Sequence, residues 1–269
     1  MSKAFHDFER SGWQRAAPHY ADAFGSITSQ AIPALVDAVG AAPGVRLLDV
    51  ATGPGYVAAE AAARGARATG VDFSSQMIEL ARRRYPDIEF EEGDAEELPF
   101  VDGTFGAVAM NFGLLHLARP DAALAEARRV LQGGGRFGFT VWARPELAIG
   151  FGIVLSAVET HGRTDVTLPE GPPFFRFSDA AECVRSLTAA GFVDPRVETL
   201  PLVWRPASAD AVFDAFSQGA VRTAALLRAQ APAALEAIRR AIHDEVDRYR
   251  RGGSIGLPMA AMLATGSKK

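Results

Sequence analysis

Three acids and two glycines stand where a nucleotide could use them: Asp49, Gly53 and Gly55 in "LLDVATGPGYVA", Asp72 in "TGVDFSS" and Asp94 in "FEEGDAEE". Glycines in such a loop let the backbone approach a ligand closely, and an acid at the end of the next strand can accept hydrogen bonds from ribose hydroxyls. Gly53 to Ala58 satisfies the dinucleotide pattern G-x-G-x-x-A, with Asp72 at the expected distance, so a nicotinamide dinucleotide is one reading. Asp49 argues for another. A pyrophosphate gains nothing from a carboxylate at the strand–loop junction, whereas a ligand bearing a sulfonium and an ammonium does. Asp94 offers an acceptor for an adenine amino group. His116, in "NFGLLHL", is the histidine best placed to take a proton, since imidazole titrates near neutral pH. His19, His161 and His243 are less well placed, and no Ser/His/Asp set or His-x-x-x-His metal spacing is visible.

These residues need a scaffold that brings strand ends together. Short β-rich runs alternate with helix-like runs through the first half: "VRLLDVA", "YVAAEAAARG", "ARATGVDF", "SQMIELARRR", "IEFEEGD", "FGAVAMNF", "DAALAEARRVL" and "GRFGFTVW". Alternation of this kind predicts an α/β fold, a mostly parallel sheet with helices on both faces. Ser74 is placed to cap the helix over 75–84, where Glu79 and Arg83 have the favourable i, i+4 order, and Gly133 to Gly135 turn a helix into the strand of Phe137, Phe139 and Val141. The pattern changes after Trp142. Residues 145–177 read as an insertion rich in Pro, Gly and Phe; a core helix and a strand, "RVETLPLVW", follow within 178–205. A helical block over 206–251 is a second insertion, and 252–269 ends in a last strand within "GLPMAAMLATG".

Composition narrows the function further. The 269 residues carry 48% hydrophobic side chains, enough for a sizeable core, and a net charge of −4 that leaves no basic excess for a nucleic-acid backbone. Cys183, the single cysteine, excludes an internal disulfide and reads as a small buried hydrophobe in a reducing, cytoplasmic protein. The N-terminal stretch has no apolar core of a secretory signal, and the most apolar stretch, Leu147 to Val158, is too short to span a bilayer and predicts a buried helix.

Four stretches in order, "LLDVATGPG", "VDFSSQMIELAR", "EGDAEELPFVDGTFGAV" and "RVLQGGGRFGFTVW", resemble the successive motifs of class I S-adenosylmethionine-dependent methyltransferases, most of all the ubiquinone and menaquinone biosynthesis branch. The resemblance runs from Leu47 to Trp142 and more weakly to the last strand. It implies a Rossmann-like, seven-stranded core with N-terminal lid helices over residues 1–144 and a helical cap from the two insertions. It also implies S-adenosylmethionine as cofactor, S-adenosylhomocysteine as product and no metal. Carried over by residue, Ala51, Gly53 and Gly55 line the methionine and ribose side with Asp49 in the same loop. Asp72 takes the ribose hydroxyls, Phe73 and Met77 pack on the adenine, and Asp94 takes its amino group beside the Ala95 backbone. Asn111 and Phe112 face the methyl-bearing sulfur, Tyr20 matches the lid tyrosine, and His116 lies in the loop facing the reacting centre. Ala51 departs from the glycine common at its position.

The acceptor is expected to be a small, partly apolar or aromatic metabolite, because the insertions supply Phe151, Phe174, Phe175, Phe177, Phe213 and Phe216 and no basic groove. Phe8 and Trp13 are expected to pack the first helix onto the sheet, and Arg222 is the basic residue that could meet an acidic group on the acceptor. Oxygen, nitrogen and carbon acceptors stay open, as do a homodimer and a methyltransferase-fold enzyme that uses the cofactor without transferring its methyl group.

Overall fold

The computed structural model describes residues 3–269, and its centre is a sheet whose middle strands are buried on both faces. The strands are β1 (Arg46–Val50), β2 (Arg67–Asp72), β3 (Glu89–Glu92), β4 (Phe105–Asn111), β5 (Leu131–Trp142), β6 (Val193–Leu200) and β7 (Ala261–Ser267). Their spatial order is β3-β2-β1-β4-β5-β7-β6 in one 7-stranded sheet. The first five run parallel, while β7 is antiparallel to both β5 and β6. The chain builds outward from β1 to β3 and then returns to β4. That reversal makes the carboxyl ends of β1 and β4 the crevice where ligands bind in open α/β sheets.

Apolar runs dictate the layers. Leu47, Ala107, Ala109 and Leu263 face α2 (Ile32–Val39) and α3 (Tyr56–Ala63) on one side of the sheet. Leu48, Val108, Met110, Phe137 and Phe139 lie in the larger cluster on the other side, with Leu124, Ala127 and Val130 of α5 (Pro120–Val130) and Leu187 of α7 (Ala180–Ala189). Ser74 caps α4 (Ser75–Arg84) as its position predicts, its hydroxyl accepting from the Met77 N–H at 3.3 Å. Cys183 is buried, its thiol donating to the Phe177 carbonyl at 3.1 Å, and burial pushes it up to about 12, so it is an inert core residue.

One strand departs from expectation. The run "RVETLPLVW" does not form one strand, because Pro201 has no N–H to continue the ladder. β6 ends at Leu200, and Val203–Trp204 pairs instead with Leu257–Pro258 in a separate two-stranded ribbon, which shortens the last sheet strand to Ala261–Ser267.

The segments 145–177 and 206–251 pack on each other. Residues 145–177 contribute α6 (Ile149–His161), buried through Phe151, Ile153, Val154 and Val158 as its apolar sequence requires. Residues 206–251 contribute α8 (Asp210–Gln218), α9 (Arg222–Arg228) and α10 (Pro232–Asp247), and Phe151 of α6 meets Phe216 of α8 edge-on with ring centroids 4.9 Å apart. The N-terminal helix α1 (Lys3–Tyr20) completes the roof. It approaches so closely that a side chain at Gly12 would lie 2.3 Å from a Val221 methyl, which is why glycine stands there.

Candidate active site

At the switch point both central strands turn sharply. Ala51 follows β1 with φ +54° and Phe112 follows β4 with φ +55°, a conformation that L side chains rarely adopt. Each is held there. The Phe112 N–H donates to the Thr140 carbonyl and hydroxyl, both at 3.1 Å, while its ring packs on Trp142 at 4.2 Å. The Ala51 methyl lies where a side chain at Gly113 would be only 2.6 Å away, so an alanine at 51 requires a glycine at 113.

Between the two strand ends lies a cavity walled by Ala51, Gly53, Asp72, Phe73, Met77 and Ala95, with Asn111, Phe112 and His116 at its far side. Asp72, at the end of β2, accepts from the Gly53 N–H and the Ser74 N–H, each at 2.9 Å. Asp49 sits beneath the glycine loop, fully buried. Its Oδ2 accepts from the Thr52 hydroxyl at 2.5 Å and the Ala58 N–H at 3.0 Å, and its Oδ1 has no partner. Burial raises both acids, Asp72 to about 6 and Asp49 to about 7, the latter also because Asp72 lies nearby.

Helix α1 closes this cavity along two faces. His6, Arg10 and Gln14, at i, i+4 and i+8, reach the strand-end loops. His6 Nε2 lies 2.9 Å from Asp94 Oδ2, Arg10 bonds Glu92 and the Phe73 carbonyl, and Gln14 accepts from the Gln76 N–H in the first turn of α4. On its other face, Trp13 and Tyr20 reach a second, adjoining cavity. That cavity is lined by Phe24, Thr28, Trp142, Phe151 and Phe174, and it shares Trp13, Tyr20, Phe112 and His116 with the first. A π-helical turn, Ala21–Gly25, follows Tyr20. Tyr20 shares a hydrogen bond with the Thr28 hydroxyl at 3.1 Å, and burial pushes its phenol up to about 12.

A methyltransferase domain family matches residues 48–139. The demethylmenaquinone methyltransferase of Renibacterium salmoninarum is 45% identical over 111 residues, 41% of this chain and 47% of that protein. The enzyme of the same name from Beutenbergia cavernae is 43% identical over 123 residues, 44% of this chain and 51% of that protein. The chain thus spans about half the length of these curated relatives. The YcgJ protein of Bacillus subtilis shares the fold, with a TM-score of 0.59 at 19% identity over 89% of this chain and 98% of that one. The fold is that of the class I methyltransferases, and residues 48–139 carry the match to a methyltransferase domain.

Of the residues assigned from the domain's motifs, Tyr20, Ala51, Gly53, Asp72, Phe73, Met77, Ala95, Asn111, Phe112 and His116 line the first cavity. Gly55, Asp49 and Asp94 do not. Gly55 begins α3 at φ +86°, and a side chain there would lie 2.8 Å from the Phe90 ring, so close packing explains the glycine. Asp49 organises the loop from below rather than facing the cavity. Asp94 Oδ1 accepts from the Glu96 N–H at 2.8 Å, and the imidazole of His6 stands against its other oxygen. Asn111 is tied on both sides, donating to the Thr28 carbonyl at 3.2 Å and accepting from the Thr140 hydroxyl at 2.6 Å.

One expectation is corrected. Trp13 does not merely pack α1 onto the sheet; it lines both cavities and meets His116 edge-on at 4.8 Å. Arg222 lines the second cavity but is already committed in part, donating to Glu9 Oε1 at 2.7 Å and to the Pro172 and Leu115 carbonyls at 2.8 Å each, with its charge offset by Glu9. Sequence reasoning missed Glu9 altogether. Its signal was an acid at i−4 from Trp13, on the helix face that carries Phe5 and Ala16 inward.

Proposed function

We propose that the chain is an S-adenosylmethionine-dependent methyltransferase acting on a small, partly apolar or aromatic acceptor. One observation carries this reading: a cavity bearing Asp72 and the open side of Gly53 continues past Tyr20, Phe112 and His116 into an aromatic cavity. Nothing lies within 4 Å of where a Gly53 side chain would stand, so the loop presents a bare cradle. Asp72 would hold the ribose hydroxyls, Phe73 and Met77 the adenine faces, and Gly93 and Ala95 the adenine edge. Asp49 lies beneath the loop with its Oδ1 unpartnered, and in its ionised form it would attract a cationic ligand. When bound, S-adenosylmethionine supplies a methyl group activated by a positively charged sulfur.

The chain's own task is then to align the acceptor and exclude water. Trp13, Tyr20, Phe112, Trp142, Phe151 and Phe174 wall the acceptor side with flat apolar surface, and α1 covers the top. His116 opens onto both cavities and would accept the proton of a hydroxyl acceptor. The curated relatives' names point to a quinone-type ring, and the aromatic wall suits such a ring. No helix among the described residues is long and apolar enough to cross a membrane.

Burial of Asp72 gives this reading a pH signature. Ribose hydroxyls donate to the carboxylate, so binding favours its charged form. Cofactor affinity should fall up to tenfold per unit as pH drops below about 6, with the dependence flattened in Asp72→Asn. Without ligand the sign reverses. Both acids lie above their ordinary value of about 4, so their contribution to stability is full below that pH and is lost as pH rises through about 6 and 7. Titration calorimetry and thermal melts across this range measure the two effects.

Transfer itself is tested with S-adenosylmethionine carrying a ¹³C methyl group, incubated with the protein and host extract. The expected result is label in a low-molecular-weight, solvent-extractable product together with an equal amount of S-adenosylhomocysteine. Label found only in the nucleic-acid or protein fraction, or no S-adenosylhomocysteine above a protein-free control, contradicts the assignment.

A further inference from the structure

We infer that Glu9 is the positioning residue of His116, and that the Glu9–His116–Arg222 cluster confines the acceptor to an uncharged aromatic ring bearing a hydroxyl. The inference rests on the function proposed above, with His116 as the proton acceptor. Three segments far apart in sequence build the cluster. Glu9 comes from α1, His116 from the turn after β4, and Arg222 from the start of α9 in the segment 206–251.

Glu9 is fully buried, and every strong contact it makes is to this cluster. Its Oε1 accepts from Arg222 Nε at 2.7 Å, and its Oε2 lies 3.1 Å from His116 Nδ1. A carboxylate paired with a guanidinium can only accept, so the proton between Glu9 and His116 belongs to Nδ1. In the neutral imidazole that leaves Nε2 bare, the tautomer a base requires. The imidazole is fixed further by Trp13, edge-on at 4.8 Å, and by Phe174 at 5.7 Å.

During transfer the acceptor O–H bond breaks and its proton passes to Nε2. The oxygen forms its new bond to the methyl carbon, and the carbon–sulfur electron pair stays on sulfur. Positive charge therefore moves from sulfur to the imidazole, where Glu9 already stands. Only a closed α1 supplies that carboxylate, so the base is complete only when the roof is in place.

The same contacts fix the charge of the acceptor. Arg222 is the cation of the aromatic cavity, and each of its nitrogens is already engaged: Nε by Glu9, Nη1 by the Pro172 carbonyl and Nη2 by the Leu115 carbonyl. Its faces are covered by Phe5 at 4.5 Å and Phe174 at 5.5 Å. A carboxylate or phosphate on the acceptor would meet a guanidinium whose charge Glu9 already offsets and which keeps only one N–H on each of Nη1 and Nη2 uncommitted. An ammonium would find no free acid, because the cavity wall carries none. A charge buried there unpaired is costly, whereas a hydroxyl meets His116.

Two measurements test the inference. The first needs neither cofactor nor acceptor: ¹⁵N-histidine spectra of the full chain at about pH 8.5, where imidazoles are neutral. The Nδ1–H form of His116 should outnumber the Nε2–H form by about tenfold or more, and Glu9→Met should lower that ratio by about tenfold. Glu9→Met/Arg222→Met removes both charges together, keeps the packing if the single variant unfolds, and should give the same loss. Glu9→Gln/Arg222→Met restores an acceptor for Nδ1 and should recover the ratio. An Nε2–H majority in the native chain, or a ratio indifferent to position 9, overturns the role of Glu9.

The second measurement compares 2-naphthol, 2-naphthoate and 2-naphthylmethylamine binding to the S-adenosylhomocysteine-saturated protein. The naphthol should bind about tenfold or more tighter than either charged ring. Equal or tighter binding of a charged ring, or no saturable binding of the naphthol at millimolar concentration, overturns the acceptor class. Failure of S-adenosylhomocysteine itself to bind would instead defeat the proposed function and leave the tautomer result standing on its own.

Discussion

Asp72→Ala is expected to weaken binding of S-adenosylmethionine and S-adenosylhomocysteine by about 2–3 kcal/mol, roughly 30- to 150-fold, from the loss of two hydrogen bonds to a charged group. The carboxylate also accepts from the Gly53 and Ser74 N–H groups at 2.9 Å, so the variant loosens the glycine loop as well as removing the ribose partner. The two contributions separate in the melt. Loss of the acceptor of two N–H groups should lower the melt of the unliganded Asp72→Ala protein, whereas Asp72→Asn, which keeps an acceptor oxygen, should lose cofactor affinity with a smaller change in the melt. Unchanged affinity in a variant whose circular dichroism is native would remove Asp72 from the site.

His116→Ala carries the second large effect. For a hydroxyl acceptor, loss of a general base is expected to lower turnover by about 10²–10⁴-fold while leaving cofactor affinity nearly unchanged. The imidazole faces both cavities and is backed by Glu9, so its removal deprives the proton of its destination but leaves the Asp72 side intact. Rates are measured on the acceptor that labelled transfer identifies, across the pH range. A loss below about fivefold would mean that transfer proceeds by alignment alone. Loss of cofactor affinity would assign His116 to the wall of the first cavity.

What was legible in the sequence was local. The strand–glycine loop–helix run from Leu47 to Gly65 places Asp49, Ala51, Gly53 and Gly55 within a few residues of one another, and the alternation of strands and helices fixes which strand ends meet. Asp72, Met77, Ala95 and Phe112 came from the family resemblance, each in or after a strand end that this topology brings to the crevice. Local pattern does not say whether a glycine faces a ligand or a neighbouring ring: Gly53 opens onto the cavity, and Gly55 yields space to Phe90. Nor does it say what an acid's second oxygen meets, and α1 brings His6 to Asp94 from the start of the chain. The Glu9–His116–Arg222 cluster joins positions 107 and 213 apart, a closure set by helix docking. The break in the strand before Trp204 had a visible cause in Pro201, which β-propensity alone outweighed.

The most direct test of the account is titration calorimetry of the unmodified protein with S-adenosylmethionine, S-adenosylhomocysteine and NAD under one set of conditions. The glycine loop and Asp72 serve either nucleotide, but the acid beneath the loop, in its ionised form, favours a cationic ligand over a pyrophosphate. Saturable one-to-one binding of both adenosyl ligands, with no heat from NAD at the same concentrations, is the predicted result. Saturable binding of NAD with none of S-adenosylmethionine would contradict it.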